Sequence, residues 1–168
     1  MKTLTIVRHA KSSWQDRGLS DRERPLNKRG KRDAPMMGKR LVAAGVRPSL
    51  IISSPAVRAW STAKVFAKEL NYPIEFLQRE EGLYLASLDN LLDIVATQDT
   101  GFHNLMLFAH NPGLTDFTNY LVPGLSSNLP TCGVVAVNID CDDWMLYDRP
   151  KAELVAYDYP KKTSTPVR

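Results

Sequence analysis

Short apolar runs alternate with longer amphipathic ones along this chain, and that alternation restricts its fold more than any other feature. The run Leu4-Thr5-Ile6-Val7 is β-rich and stops at Arg8-His9. Residues 27–44 then read as a helix, with Leu41, Val42 and Ala44 apolar near its end and Gly45 placed to cap it. Pro35 falls inside that pattern, which predicts a kink or a late start. Leu50-Ile51-Ile52 is a second strand, ending at Ser53-Ser54-Pro55. Ser54 as N-cap and Pro55 as first helical residue predict a helix from there to Leu70, with Ala59, Ala63, Phe66 and Leu70 on one face. A third strand is predicted at 73–77, a helix over 88–97 capped by Ser87, a fourth strand at 104–108 and a helix over 114–121. Residues 134–139 and 153–157 read as a terminal pair of strands. The pattern predicts a three-layer α/β/α fold, with a mostly parallel central sheet and helices on both faces. A single domain over 1–160 and a basic tail over 161–168 are expected.

Charge and composition narrow the function classes. The net charge is +4, yet residues 22–40 hold eight Lys or Arg against two acids, more than the whole excess. The segment lacks the interleaved aromatics of a nucleic-acid stacking platform, so a solvated helix face or a docking surface is expected and no nucleic-acid partner. No apolar run approaches the ~20 residues that a membrane helix needs. The first residues do not read as a signal peptide, which makes a cytoplasmic protein with no membrane partner the expectation. Cys132 and Cys141 lack CxxC spacing and are expected to be reduced. The three histidines form no metal-ligand cluster, so neither a metal nor another cofactor is expected. The oligomeric state is open at this level.

The chemistry should sit beyond the carboxyl ends of the parallel strands. Arg8-His9 follows the first strand, Arg58 lies within a helical turn of the second, and His110-Asn111 follows the fourth. Taken singly, each has a plain structural reading: a surface pair, a solvated helix residue, an Asn-Pro-Gly turn. Together they suit a phosphoryl group, because arginine offers a charged planar fork and neutral imidazole is a nucleophile. His103 has no comparable neighbours and reads as structural.

The residues also match a known pattern. Ile6-Val7-Arg8-His9-Ala10 resembles the opening Arg-His-Gly motif of the histidine phosphatase superfamily, with Ala10 in place of glycine. That replacement, Lys11-Ser12-Ser13-Trp14 and the stretch from Arg24 to Gly30 resemble the SixA-type phosphohistidine phosphatase branch. Ser53-Ser54-Pro55-Ala56-Val57-Arg58, Leu83-Tyr84, Ala109-His110-Asn111-Pro112-Gly113, Pro130-Thr131 and Asp143-Trp144 continue the likeness nearly to Pro160. The resemblance implies a phosphoglycerate mutase-like fold and a metal-independent phosphatase. His9 would be the nucleophile that forms a covalent phosphohistidine, and Arg8, Arg58 and His110 would hold the phosphoryl oxygens. Glu81 stands where many relatives place a general acid, with a solvated loop charge as its plain reading; Asn27 and Asn111 are candidates to brace the substrate. The expected substrate is a phosphohistidine on a protein or a small phosphorylated compound. A phosphatase for small monoesters and a non-catalytic phosphate-binding module remain as alternatives.

Overall fold

A computed structural model describes residues 1–162; residues 163–168, most of the expected tail, lie outside the described residues. The elements run β1 (Lys2–Arg8), α1 (Lys28–Ala43), β2 (Leu50–Ser53), α2 (Val57–Glu69), β3 (Gln78–Arg79), α3 (Leu88–Ala96), β4 (Asn104–Ala109), α4 (Gly113–Leu121), β5 (Val134–Ile139) and β6 (Ala152–Asp158). They form one six-stranded sheet in the order β3-β2-β4-β1-β5-β6. The pairs among β1 to β4 are parallel, and β5 and β6 close the other edge as an antiparallel pair. Among the described residues, no helix is long and apolar enough to cross a membrane.

Strand alternation divides the interior into two cores, one on each face of the sheet. Leu4, Ile6, Ile52, Leu105, Leu107 and Val135 point to the side covered by α3 and α4, where Leu91, Val95, Leu114 and Phe117 meet them. Val7, Ile51, Met106 and Phe108 point to the side of α1 and α2, against Met37, Leu41, Ala63 and Phe66. The Phe66 and Phe108 rings meet edge to face at 5.2 Å, a geometry that favours the aromatic quadrupoles. Helices therefore cover both faces, as the alternation predicts.

Three local expectations need correction. The α1 helix does not start late: it begins at Lys28, where the Asn27 side chain accepts from the Gly30 amide, and runs through Pro35 to Ala43. Burial of Ala34, Met37 and Leu41 on both sides of Pro35 outweighs the one hydrogen bond the ring removes. The strand expected at 73–77 is instead a 3-10 turn over Ile74–Phe76, followed by the two-residue β3. The amides of Phe76 and Leu77 bond back to Pro73 and Ile74, so they are satisfied within the turn rather than by a neighbouring strand. Finally, α2 begins at Val57 with Ala56 at the N-cap, and Ser54 serves another purpose described below.

Gly113 opens α4 beneath the His110 turn, and a Cβ there would lie 1.9 Å from the Ala86 carbonyl oxygen. Both sides of that contact are backbone, so Gly113→Ala should cost about 1–3 kcal/mol. Urea unfolding checks this through a lower midpoint at an unchanged slope.

Candidate active site

Register assembles the site. In the β1–β4 pair Arg8 lies opposite Ala109, and in the β2–β4 pair Ser53 lies opposite Phe108. β1 and β4 therefore end level, with β2 one residue short of them, and the next residues (His9, His110 and Ser54) emerge close together. Backbone bonds lock the ends: the His9 amide donates to Ala109 O at 3.3 Å and the Ser54 amide to Phe108 O at 2.9 Å. From the other direction, the Cys132 amide donates to His9 O and the Arg8 amide to Gly133 O. The two imidazole centroids are 5.2 Å apart.

His9 is buried and its Nδ1 lies 2.8 Å from the Ala10 carbonyl oxygen. A carbonyl can only accept, so Nδ1 carries the proton and Nε2 keeps its lone pair. Burial drives the His9 pKa down to about 3, with Arg58, Arg8 and Arg24 adding to the shift and the Ala10 carbonyl opposing it. The ring is thus a neutral base surrounded by cations. His110 is also held down to about 3, by burial first and then by His9 and Arg58. Its Nε2 meets Ser54 Oγ at 2.7 Å, and that oxygen accepts from the Ala56 amide at 3.2 Å. A Ser54 hydroxyl that donates to Nε2 leaves the His110 proton on Nδ1, a buried atom with no protein partner among the described residues.

The cations are fixed from behind. Arg8 donates to Leu129 O at 2.9 Å, while its buried Nε has no protein partner among the described residues. Arg58 points both terminal nitrogens at Asp21, to the backbone oxygen at 2.6 Å and to Oδ2 at 3.0 Å. Tyr84 donates to the same Oδ2 at 2.6 Å, and Arg24 pairs with Oδ1 at 3.3 Å. These contacts, the Tyr84 hydroxyl foremost and the two arginines after it, hold the Asp21 carboxyl below its ordinary pKa, so it stays ionised. Arg24 is buried, donates to Ser12 Oγ and Ser13 O, and stacks 3.3 Å from the Trp14 ring centre. Arg8, His9, Arg24, Arg58, His110 and Thr131 line one cleft of about 230 Å³, with Lys11 and Trp14 at its side.

The four residues expected to carry the chemistry are therefore brought together, while the supporting candidates divide. Asn111 lines the cleft, but its side chain is engaged by Asn128, Leu129 and Thr115, so it braces the turn after His110. Asn27 is occupied as the α1 cap and does not line the cleft. Glu81 does not line it either: its exposed carboxylate pairs with Arg22 at 2.5 Å. Among the described residues, none lining the cleft carries a carboxylate. Sequence reasoning missed Asp21, Arg24, Ser54 and Tyr84 as parts of the site. Arg24 was hidden in a basic run, and Ser54 looked like an ordinary helix cap.

Two histidines, three arginines and an open cleft define a site for an oxyanion with an imidazole positioned against it. The model of the histidine phosphatase superfamily (branch 1) matches residues 4–83. An uncharacterized chloroplastic protein of Arabidopsis thaliana is 29% identical over 85% of this chain and 69% of its own length. The mitochondrial serine/threonine-protein phosphatase Pgam5 of Drosophila ananassae is 36% identical over 72 residues, 43% of this chain and 24% of that protein. In fold, the chain resembles an Agrobacterium tumefaciens protein assigned as the phosphohistidine phosphatase SixA, with a TM-score of 0.80 and 24% identity over 95% of this chain and 98% of the other. Residues 4–83 are therefore similar to the histidine phosphatase superfamily, and nearly the whole chain shares the fold of the Agrobacterium protein.

The buried histidines also set an acid limit on stability. Unfolded histidine takes up its proton near pH 6.5, whereas His9 and His110 resist it down to about 3. Their contribution is complete above pH 6.5 and is lost as pH falls through that window, because the unfolded chain then binds more protons. The melting temperature should therefore drop between pH 6.5 and 4, and a His9→Asn/His110→Asn double variant should show a shallower drop in the same thermal scans.

Proposed function

We propose that this chain hydrolyses phosphohistidine on a protein, through a covalent intermediate on His9. The observation that carries the reading is the neutral His9 ring, tied at Nδ1 to Ala10 and surrounded by Arg8, Arg24 and Arg58. Nε2 attacks phosphorus in line as the phosphorus–nitrogen bond to the substrate imidazole breaks. The electron pair of that bond leaves with the imidazole nitrogen, which takes a proton from water. Arg8, Arg58 and His110 Nδ1–H hold the three equatorial oxygens, where negative charge concentrates in the transition state. In the second step a water oxygen attacks phosphorus, the bond to Nε2 breaks, the lone pair returns to His9, and inorganic phosphate leaves. Burial favours the neutral ring and so opposes loss of the nucleophile to protonation.

The leaving group is argued from the cleft. An alkoxide leaves poorly without a proton donor, whereas imidazole leaves readily once protonated, so a cleft that no carboxylate lines among the described residues suits a phosphoamidate. The cleft also opens beside exposed Trp14 and Leu85, which gives a folded carrier room to approach. The likeness of residues in this chain to part of Pgam5 favours a second reading, a phosphate ester on a serine or threonine side chain.

Steady-state release of phosphate separates the two. The wild-type protein, with a metal chelator present, should turn over phosphohistidine at least about a hundredfold faster than phosphoserine or a sugar phosphate, the range that one positioned acid supplies. A faster rate on the esters would establish the second reading. His9→Ala should lose activity on every substrate.

Glu81→Gln offers a narrower check. With its carboxylate exposed and paired to Arg22, the substitution should change phosphohistidine turnover by less than about twofold, as expected for an exposed ion pair. A large fall in kcat would restore Glu81 as the proton donor.

A further inference from the structure

A second groove of about 760 Å³ opens beside the catalytic cleft, and Lys11, Ser12 and Trp14 line both. Its walls are the loop after β1 and the start of α1, from Pro25 to Lys31. The walls are tied backbone to backbone: Ser13 N donates to Pro25 O at 2.8 Å and Asn27 N to Lys11 O at 3.0 Å. Gly30 lets α1 press directly on the loop, because a Cβ there would lie 2.2 Å from Lys11 O. The groove is therefore preformed, and a ligand does not have to order it.

Its lining is one-sided in charge. Lys11, Lys28, Arg29 and Lys31 contribute four cations, and among the described residues the lining contains no carboxylate. Arg29 is partly neutralised by Asp33 at 3.3 Å, whereas Lys11, Lys28 and Lys31 have no ion-pair partner among the described residues. Lys11, Lys28 and Lys31 are exposed, so their charge is available to a partner. Trp14 stands at the junction of the two cavities, 70% exposed, with the Arg24 guanidinium on one face of its ring.

We propose that this groove docks an acidic segment of the protein that carries the phosphohistidine. Lys11, Lys28 and Lys31 pair with its carboxylates while the phosphoryl group lies in the adjoining cleft, and Trp14 packs between the two. The inference rests on the proposed phosphohistidine activity and names the carrier's chemistry. Nucleic acid is the less suitable occupant, because one aromatic ring does not provide the series of stacking surfaces that single strands use. A fixed, uncompensated positive groove also speeds encounter with an acidic partner, an effect that salt weakens.

The test uses the full chain, its Lys28→Glu/Lys31→Glu variant and three substrates: free phosphohistidine, a synthetic phosphohistidine peptide flanked by aspartates, and its twin flanked by asparagines. Wild type should prefer the aspartate peptide, and the preference should shrink with added salt. In the variant, kcat/KM for the aspartate peptide should fall about tenfold through KM, with the other two substrates within about twofold. Unchanged turnover of those two shows that the variant is folded. Equal loss on both peptides, or no loss on either, overturns the proposal. If wild type turns over none of the three, the activity assignment fails, and fluorescence anisotropy with the labelled, unphosphorylated aspartate peptide tests the groove alone. Binding by wild type that the variant weakens supports the groove; no binding, or tighter binding of oligothymidylate, overturns it.

Discussion

Parallel pairing of β1 with β4, with Arg8 opposite Ala109, sets the distance between His9 and His110, and the remaining features of the site are arranged around that pair. A one-residue slip would turn the following side chains toward the opposite face of the sheet. The register is secured by the two cores, because Leu4 and Ile6 must face α3 and α4 while Val7 faces α1 and α2. The same apolar alternation that drives folding therefore places two imidazoles 5.2 Å apart. In this sense the site is a product of the core, and disturbing the packing beneath it would alter the chemistry above.

Burial then decides what those imidazoles can do. Clustering arginines around histidine in a low-dielectric cleft disfavours the imidazolium and keeps the ring neutral, with the lone pair of His9 on Nε2. The arginines repel one another as well, and Asp21 offsets part of that repulsion by engaging Arg58 and Arg24: it is a counter-charge, held ionised by Tyr84 and the two arginines, and among the described residues the cleft lining itself carries no carboxylate. An anion entering the cleft then meets Arg8, Arg58 and His110 in fixed positions, the preorganisation on which electrostatic stabilisation depends.

Strand ends are where the amino-acid sequence spoke most clearly. Arg8, His9 and His110 stand directly after apolar runs, and Arg58 lies one turn into the next helix, so their convergence followed from the α/β alternation. The parts that stayed hidden have physical reasons. Asp21 lies in a polar stretch without periodicity, and only the fold carries it to Arg58. Arg24 sat in a basic segment whose charges looked interchangeable, although it alone among them is buried against Ser12 and lines the cleft. Ser54 has the local chemistry of a helix cap, whereas in the fold its hydroxyl turns to His110 and the helix starts two residues past Pro55. Pro35 shows the reverse, a strong local signal overridden by the packing of Met37 and Leu41. Local chemistry was legible, and long-range partners required the fold.

The central claim is that the neutral Nε2 of His9 carries the phosphoryl group between the two half-reactions. Rapid quench of the wild-type protein with a phosphorus-labelled phosphohistidine substrate, followed by peptide mapping under alkaline conditions, tests it directly. The account predicts one acid-labile, alkali-stable label, on the peptide that contains His9, formed and lost at rates compatible with turnover. A label on any other side chain, or full turnover with no labelled protein at any time, would contradict it.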